Sequence, residues 1–303
     1  MLAPLHSLPP TRFCETLKHL GIRRVCLRFD AESGRVTASH PELTPLADWL
    51  AGNTRDFAEH EAVFLERGER SGALMGAFIH QTLRGQAQGG LRFWPYPVLD
   101  QFLSDGLRLA QGMGRKNALA GLWWGGGKGV IVRDPDAPYQ DEGYRSTLYR
   151  EYGSFVSSLN GAYITAEDVG TRPSDMASVF ATTRFVSCVP AEVGGSGNPS
   201  PWTAKGVVCA MQAALEVAGL GTLAGKTVAM QGLGNVGAAM LGELLKSGVA
   251  QVVAADISPA NVEAARQKFQ DSRVALRVAE RARRRAEPHD HPEASGQDRV
   301  WRR

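Results

Sequence analysis

Lys128 follows three glycines in the stretch GLWWGGGKGV, residues 121–130, and three roles are open for it. It could clamp a phosphate, act as a catalytic base, or be a solvated charge on a turn. A phosphate-binding loop of the type G-x-x-x-x-G-K-[ST] is excluded, because Leu122 replaces the first glycine and Gly129 replaces the hydroxyl residue. Two tryptophans directly before the glycines favour a packed loop over a mobile turn.

A second candidate site has the pattern G-x-G-x-x-G, formed by Gly232, Gly234 and Gly237 after the apolar stretch TVAM. In such a unit the glycines allow a tight turn, close approach of a pyrophosphate and close packing of helix on strand. The helix N-terminus then offers amide hydrogens to the phosphates. The pattern predicts a dinucleotide site that includes Asn235 and Val236, with an ordinary glycine-rich turn as the alternative.

An acidic residue stands at the position that such a site requires for the cofactor's ribose. Asp256 ends the next apolar stretch, 19 residues after Gly237. A carboxylate at this spacing accepts hydrogen bonds from the adenosine ribose. Because a 2′-phosphate would lie beside this negative charge, the sequence favours NAD over NADP.

Both candidate sites need helices and strands to position them, and apolar periodicity predicts these elements. In the first part of the chain we predict a helix from residue 41 that ends at Gly52, hairpin strands around Val63 and Met75, a strand in GGLRFWPYP, helices over 98–122 and 144–159, and a strand in GAYITAED. A helix over 203–219, with Thr203 as its N-cap, comes next. Strands then alternate with helices over 226–269, which is typical of a parallel α/β sheet.

The turn-rich stretch VGGSGNPSP, residues 193–201, separates these two parts. We predict a substrate domain over 1–196, a dinucleotide-binding domain over 197–272 and a solvated basic tail over 273–303. The tail has nine arginines against five acidic residues, so it accounts for the whole net charge of +3. The remainder is close to neutral, which argues against a nucleic-acid-binding protein.

Cysteine usage and hydropathy restrict the cellular setting. The four cysteines of the 303 residues are scattered without metal-ligand spacing, which predicts no metal site and a reduced, cytoplasmic chain. We expect no membrane association, because no apolar run reaches the length of a membrane span. The first residues lack the pattern of a secretory signal, whereas a mitochondrial transit peptide remains open.

Six motifs follow one another along the chain: GGLRFW, GMGRKNALAGL, GGGKGV, YITAEDVGT, SGNPSPWTAKGV and GLGNVG. Their order and spacing resemble the glutamate/leucine/phenylalanine/valine dehydrogenase family, and its leucine dehydrogenase branch most closely, over residues 60–270. The resemblance implies an α/β substrate domain followed by a Rossmann domain. It also implies NAD-dependent oxidative deamination of an L-amino acid, and a homo-oligomer built through the first domain.

The resemblance implies roles for the residues that match the family's motifs. Lys116 matches the lysine that binds the substrate α-carboxylate. Lys128 matches the lysine that activates water, and Asp168 matches the aspartate that moves protons at the amino nitrogen. The other matched positions are Gly89 and Gly90, which line the substrate pocket, and Thr203, beside the nicotinamide, with Asn198 in the same stretch.

The chemistry of deamination asks for a base that works near neutral pH. A lysine with a reference pKa of about 10.4 is a poor base there. Burial and a second cation such as Lys116 would disfavour the charged form, so we expect the pKa of Lys128 to be lowered.

Two departures from the family pattern qualify this interpretation. Gln88 stands where leucine-type enzymes have an apolar residue and glutamate-type enzymes have a lysine, so we expect tolerance of a polar or mid-sized substrate side chain. The sequence after Lys226 provides only about half of a six-stranded Rossmann domain, with VALRV as a possible third strand, so we expect a truncated C-terminal half. An inactive binding or regulatory subunit and an unrelated half-Rossmann dehydrogenase remain open as alternatives.

Overall fold

A computed structural model describes residues 4–279, which divide into two compact units. The first unit ends at Pro199, and the second begins at Ser200. Each unit has its own sheet and its own buried apolar core.

Among its described residues, the first unit contains five α-helices and seven strands. In chain order its elements are α1 (Pro10–His19), β1 (Arg24–Asp30), β2 (Arg35–Ala38), α2 (Thr44–Gly52), β3 (Ala62–Arg67), β4 (Leu74–Gln81), β5 (Ala87–Trp94), α3 (Leu99–Leu119), β6 (Gly125–Val132), α4 (Glu142–Ser157), β7 (Tyr163–Glu167) and α5 (Pro173–Phe180). The helix that ends at Gly52, the β3–β4 hairpin and the predicted elements from β5 to β7 are confirmed. The elements α1, β1, β2, β6 and α5 come in addition to those predicted from the sequence.

These seven strands form one mixed sheet in the order β2-β1-β3-β4-β6-β5-β7. The pairs from β2 to β6 are antiparallel, whereas β5 pairs with both β6 and β7 in parallel. Side chains of a strand alternate between the two faces of a sheet. In β4, Leu74 and Phe78 accordingly join a core with α1, α2 and α3, whereas Met75 and Ile79 join a second core with α4 and α5.

The stretch GGGKGVIV forms the buried inner strand β6, so the expectation of a packed loop was wrong about the type of element, and the two tryptophans directly before it are exposed. Its glycines are required by close packing. A Cβ at Gly126 would overlap the backbone of α3 at Ala110, and a Cβ at Gly127 would lie 2.8 Å from the ring of Tyr163. Because these glycines have no side chains, the alternating apolar pattern that marks a strand is missing from the first half of β6.

The second unit contains α6 (Ser200–Val217), β8 (Thr227–Gln231), α7 (Asn235–Lys246), β9 (Gln251–Asp256), α8 (Pro259–Lys268) and β10 (Val274–Val278). Its strands form a parallel sheet in the order β10-β9-β8, which confirms the predicted strand–helix alternation and the third strand in VALRV. Buried residues such as Leu241, Leu244 and Val252 make up its core.

Two expectations for this unit need correction. Because α6 begins at Ser200, Thr203 lies in its first turn and not at the N-cap. The predicted tail over 273–303 includes β10, since Val274–Val278 pairs in parallel with β9. The remainder of that tail, from residue 280, lies outside the described residues. Within residues 4–279, no helix combines the length and the apolar character needed to cross a membrane.

Candidate active site

The side chain of Lys128 emerges from the middle of β6 on the face that packs against α3. Val130 and Val132 share that face and belong to the core with α3. Lys128 is 4% exposed, which is rare for a lysine without a partner. Its Nζ donates a hydrogen bond of 2.6 Å to Oδ2 of Asp168, the residue directly after β7. The structure therefore brings together the two predicted catalytic residues as a buried ion pair.

Strand register and the following turn together place Asp168 within reach of Lys128. Strand β5 lies between β6 and β7 and pairs with both in parallel, so the strands run in the same direction towards this edge. The turn after β7 is fixed by Thr171, whose hydroxyl accepts a hydrogen bond from the Asp168 amide at 2.9 Å. The carboxylate is thus held by backbone geometry as well as by the lysine.

Burial and neighbouring charges shift both pKa values in this pair. Burial lowers the pKa of Lys128 below its ordinary value; the Asp168 charge opposes this shift, and the positive charge of Arg92 adds to it. Burial by itself would raise the pKa of Asp168, but Lys128 and Arg92 outweigh it, so that pKa is lowered. The expected second cation was Lys116; the cation that acts on Lys128 is Arg92.

The glycine pair of β5 has a packing role in the structure. A Cβ at Gly90 would lie 2.7 Å from Cβ of Asp168 and 3.0 Å from the carbonyl oxygen of Glu167. A Cβ at Gly89 would overlap the carbonyl group of Gly127 on β6. Glycine at these two positions therefore lets the backbone approach the strand on each side. A role in lining the substrate pocket stays a prediction.

Two predicted substrate-binding residues, Gln88 and Lys116, form no hydrogen bond or ion pair with Lys128 or Asp168 within residues 4–279. Gln88 is half-buried on β5, where it pairs in register with Gly126 and Ile164. Lys116 is exposed in the last turn of α3, directly before the buried Asn117. Among residues 4–279, the hydrogen bonds and ion pairs of the Lys128–Asp168 pair include Arg92 but neither of these two residues.

Arg92 and Asp105, two charged residues beside the Lys128–Asp168 pair, were not identified from the sequence. Arg92 on β5 donates through Nη1 to both oxygens of Asp105 on α3, at 3.0 and 2.8 Å, and its Nε lies 3.5 Å from Asp168 Oδ2. Tyr96 donates a hydrogen bond of 2.6 Å to Asp105 Oδ2. The signal that could have found Arg92 is a charged residue in a buried strand directly after the glycine pair, within GGLRFW.

The glycine turn of the second unit has the geometry of a tight strand-to-helix connection. Gly232 has φ of +99°, a conformation that favours glycine, and Gly234 is the N-cap of α7. A Cβ at Gly237 would overlap the carbonyl group of Gly232, so only glycine lets α7 approach β8 this closely. Asn235 and Val236 form the first residues of α7.

Asp256, the last residue of β9, stabilises this turn through hydrogen bonds. Its carboxylate accepts hydrogen bonds from the amides of Leu233 at 2.6 Å and Ser258 at 2.7 Å, and from Nδ2 of Asn261 at 3.2 Å. These bonds, first those from Leu233 and Ser258, lower the pKa of Asp256. The structure thus gives this residue a contact with the glycine turn that sequence reasoning missed, while its role towards a ribose stays a prediction.

The remaining predicted residues lie at the start of the second unit and just before it. Asn198 is exposed in the segment that precedes α6, and Thr203 is exposed in the first turn of α6. In the part of the chain that the structure describes, no cluster of three His, Cys, Asp or Glu residues could hold a metal ion.

Two family models match the chain in succession. The model of the Glu/Leu/Phe/Val dehydrogenase dimerisation domain matches residues 70–185, and that of Glutamate/Leucine/Phenylalanine/Valine dehydrogenase matches residues 194–274. The chain belongs to this dehydrogenase family. The matched ranges contain Lys128, Asp168 and the glycine turn.

Named proteins of the family are similar to this chain over most of its described length. Leucine dehydrogenase of Geobacillus stearothermophilus is 42% identical over 212 residues, which cover 70% of this chain and 56% of that protein. Phenylalanine dehydrogenase of Lysinibacillus sphaericus is 39% identical over 215 residues, which cover 71% of this chain and 55% of that protein. The crystal structure of L-tryptophan dehydrogenase from Nostoc punctiforme, 33% identical, matches with a TM-score of 0.51 over 72% of this chain and 59% of that one. The chain spans little more than half the length of these relatives.

Proposed function

We propose that this protein catalyses the NAD-dependent oxidative deamination of an L-amino acid to the 2-oxo acid and ammonia. The observation that carries the proposal is the ion pair in which Nζ of Lys128, buried on the glycine-rich strand β6, lies 2.6 Å from Oδ2 of Asp168 at the end of β7. Leucine and phenylalanine dehydrogenases among the relatives support the same reaction type.

The residues of the second unit fit a nicotinamide dinucleotide. The N-cap of α7 is Gly234, which has no side-chain cap, and a Cβ at Gly232 or Gly234 would meet nothing within 4 Å. The turn therefore leaves open space in front of the first amides of α7, where a pyrophosphate would be held. The ionised carboxylate of Asp256 favours NAD over NADP, since it would repel a 2′-phosphate.

Three residues of the first unit take part in the proposed mechanism. NAD, when bound, supplies the acceptor for the hydride that leaves Cα. Lys116 holds the substrate α-carboxylate as a point charge. Asp168 takes a proton from the substrate ammonium group, so that the nitrogen lone pair can form the iminium as the hydride leaves. Lys128 in its neutral form takes a proton from the water whose oxygen adds to the iminium carbon. Asp168 then returns a proton to the nitrogen of the adduct. Ammonia departs as the hydroxyl group of the adduct loses its proton to the freed Asp168 carboxylate, which leaves the 2-oxo acid; Asp168 and Lys128 afterwards release their protons to solvent.

Burial is what makes the lysine competent for this task. A lysine in water keeps its proton at neutral pH, whereas burial on β6 and the charge of Arg92 disfavour the protonated form of Lys128. General-base catalysis of this type contributes about 10²- to 10⁴-fold to a rate.

The finer properties of the protein are also proposals. Gln88 is half-buried on the same strand as the glycine pair, which supports tolerance of a polar or mid-sized substrate side chain. A homo-oligomer built through the first unit is supported by the match of residues 70–185 to a dimerisation domain. A reducing compartment such as the cytoplasm suits the four cysteines, all of which carry free thiols.

The experiment is an activity panel on the purified full chain with NAD or NADP and L-leucine, L-valine, L-phenylalanine and L-glutamate. We expect NADH formation with at least one aliphatic or aromatic substrate, and a loss of about 10²-fold or more in kcat for Lys128→Ala and Asp168→Asn. Arg12→Gln on α1, where Arg12 pairs with Glu15 at the surface, serves as the control that retains activity.

Absence of turnover with every substrate would contradict the proposal. Binding of NAD without turnover would then favour the alternative of a non-catalytic binding or regulatory subunit. A strict preference for branched aliphatic substrates would contradict the expectation from Gln88. The oligomeric state is measured by light scattering on the same preparation, and a monomer at all concentrations would contradict the homo-oligomer.

A further inference from the structure

Arg92 has a buried donor that the observed hydrogen bonds leave unused. Its Nη1 is fixed on Asp105, but its Nε is buried and has no hydrogen-bond partner within residues 4–279. This Nε lies 3.5 Å from Oδ2 of Asp168, the same oxygen that accepts the hydrogen bond from Lys128. A buried N–H without a partner is costly, so an unused donor beside a catalytic carboxylate needs an explanation.

The proposed reaction creates a conflict that a lysine–aspartate pair cannot resolve by itself. For Lys128 to act as a base it must be neutral, yet its positive charge is what holds Asp168 ionised in a largely buried place. A carboxylate that loses its cationic partner in such a place favours the protonated form. The pair would then tend to share one proton, and Asp168 could no longer accept a proton from the substrate.

An arginine resolves this conflict because it remains protonated throughout the working pH range. We propose that Arg92 is a positioning residue, which keeps Asp168 ionised and in place while Lys128 carries no proton. In that state Arg92 Nε–H becomes the donor to Oδ2, over the short distance that separates them in this structure. This inference rests on the proposed function, since it concerns the same site and the same reaction.

The support around Arg92 shows that its place is fixed. Asp105 binds Nη1 through both carboxylate oxygens, and Tyr96 donates to Asp105 at 2.6 Å. The side chains of Arg92 and Asp105 are only 23% and 18% exposed, so this ion pair is weakly screened by solvent. The guanidinium therefore cannot easily turn away from Asp168.

The charged and titratable groups around the pair come from every element that packs against it. Arg92 on β5 and Asp105 on α3 are opposite in sign, and Tyr96 precedes α3. From β7, Glu167 and Tyr163 interact with the charge of Asp168. Among these groups Arg92 is the cation, so its removal leaves Asp168 with acidic neighbours and with Lys128 alone.

The test compares pH profiles of kcat/KM for the wild type, Arg92→Gln and Arg92→Lys, with Arg12→Gln as the surface control. Removing the Arg92 charge would raise the pKa of Lys128 and of Asp168, so the rise of kcat/KM with pH should move to higher pH in Arg92→Gln. We expect a loss of about tenfold or more at neutral pH that shrinks as the pH rises. Arg92→Lys keeps the charge and should restore the midpoint in part, whereas Arg12→Gln should leave the profile unchanged.

If kcat/KM of Arg92→Gln is lower by the same factor at all pH values and the midpoint of its pH profile is unchanged, the proposal is overturned, because a merely structural role predicts that result. If Arg92→Gln does not fold, Arg92→Met serves instead, because it also removes the positive charge beside Asp168; a midpoint equal to that of the wild type would again overturn the proposal.

An NMR titration of the lysine Nζ and aspartate carboxyl groups separates this proposal from the proposed function. Signals assigned through Lys128→Arg and Asp168→Asn need no turnover to be measured. If the wild type is inactive, the proposed function fails, but an upward movement of both midpoints in Arg92→Gln would still support the role of Arg92. Unchanged midpoints would overturn it.

Discussion

Glu167, the neighbour of Asp168, is a titratable residue that the proposed mechanism does not use. One of its carboxylate oxygens is buried without a hydrogen-bond partner in the part of the chain described. Burial, together with the negative charges of Asp175 and Asp168, raises the pKa of Glu167 from 4.5 to about 6. The ionised form of Glu167 is therefore destabilising in the folded protein, which has a consequence for stability that can be measured.

Glu167→Gln is expected to stabilise the protein above pH 6 and to have little effect below pH 4.5. The folded wild type binds this proton more tightly than the unfolded chain does, so its stability falls as the pH rises through that window. The free energy of unfolding should increase by about 1 kcal/mol at high pH, after allowance for solvent screening at this partly exposed site. Urea unfolding at several pH values, with the exposed Glu42→Gln as control, measures it; an equal gain at every pH would contradict the electrostatic explanation.

At the scale of elements, β5 and β6 are built around close contact between two glycine-rich backbones. A Cβ at Gly89 would overlap the carbonyl group of Gly127, so the two strands leave no room for a methyl group there. By contrast, Gly112 lies in α3 with nothing within 4 Å of a Cβ. These two positions make a matched pair for one substitution.

We expect Gly89→Ala to destabilise the protein by about 3 kcal/mol or more, because the strands must separate to admit the methyl group. Gly112→Ala should instead be neutral or stabilise by up to about 1 kcal/mol, since alanine favours the helix. Urea midpoints of both variants measure the difference. A loss below about 1 kcal/mol for Gly89→Ala would show that β5 and β6 can shift apart cheaply.

The same elements show what could be read from the sequence. The hairpin of β3 and β4, helix α3 and the alternation from β8 to α8 have regular apolar periods, and these elements were predicted. Strand β6 was missed because its glycines carry no apolar pattern, whereas motif spacing singled out Lys128, whose catalytic role stays a prediction. Arg92 was missed because its importance depends on Asp105, thirteen residues away on a helix, and only the packed fold places the two together.

At the scale of the whole molecule, the first unit has two cores around its seven-stranded sheet and the second has a core of its own. No buried residue belongs to a core of both units within the described range. Leu107 and Leu241 are both fully buried, one in each unit, and are matched in size. They allow the stability of each unit to be changed separately.

Leu241→Ala should lower the unfolding temperature of the second unit, and Leu107→Ala that of the first. Each substitution leaves a cavity that costs about 3 kcal/mol. Differential scanning calorimetry of the full chain measures both unfolding temperatures. We expect two transitions, and the transition whose temperature falls in Leu241→Ala should move to a higher temperature when NAD is added. A single transition that both variants lower equally would contradict separate cores as units of stability.

Strand β6 also bears on how this protein can evolve. Its glycines are held by the packing of α3 and the tyrosines, and its lysine by the ion pair, so nearly every position of Gly125–Lys128 has little mutational tolerance. Substitutions of the glycines would disturb folding, whereas substitution of Lys128 would remove the ion pair with Asp168. Under the proposed function, substrate preference would therefore be changed through side chains around this strand, such as the half-buried Gln88, while the strand itself stays unchanged.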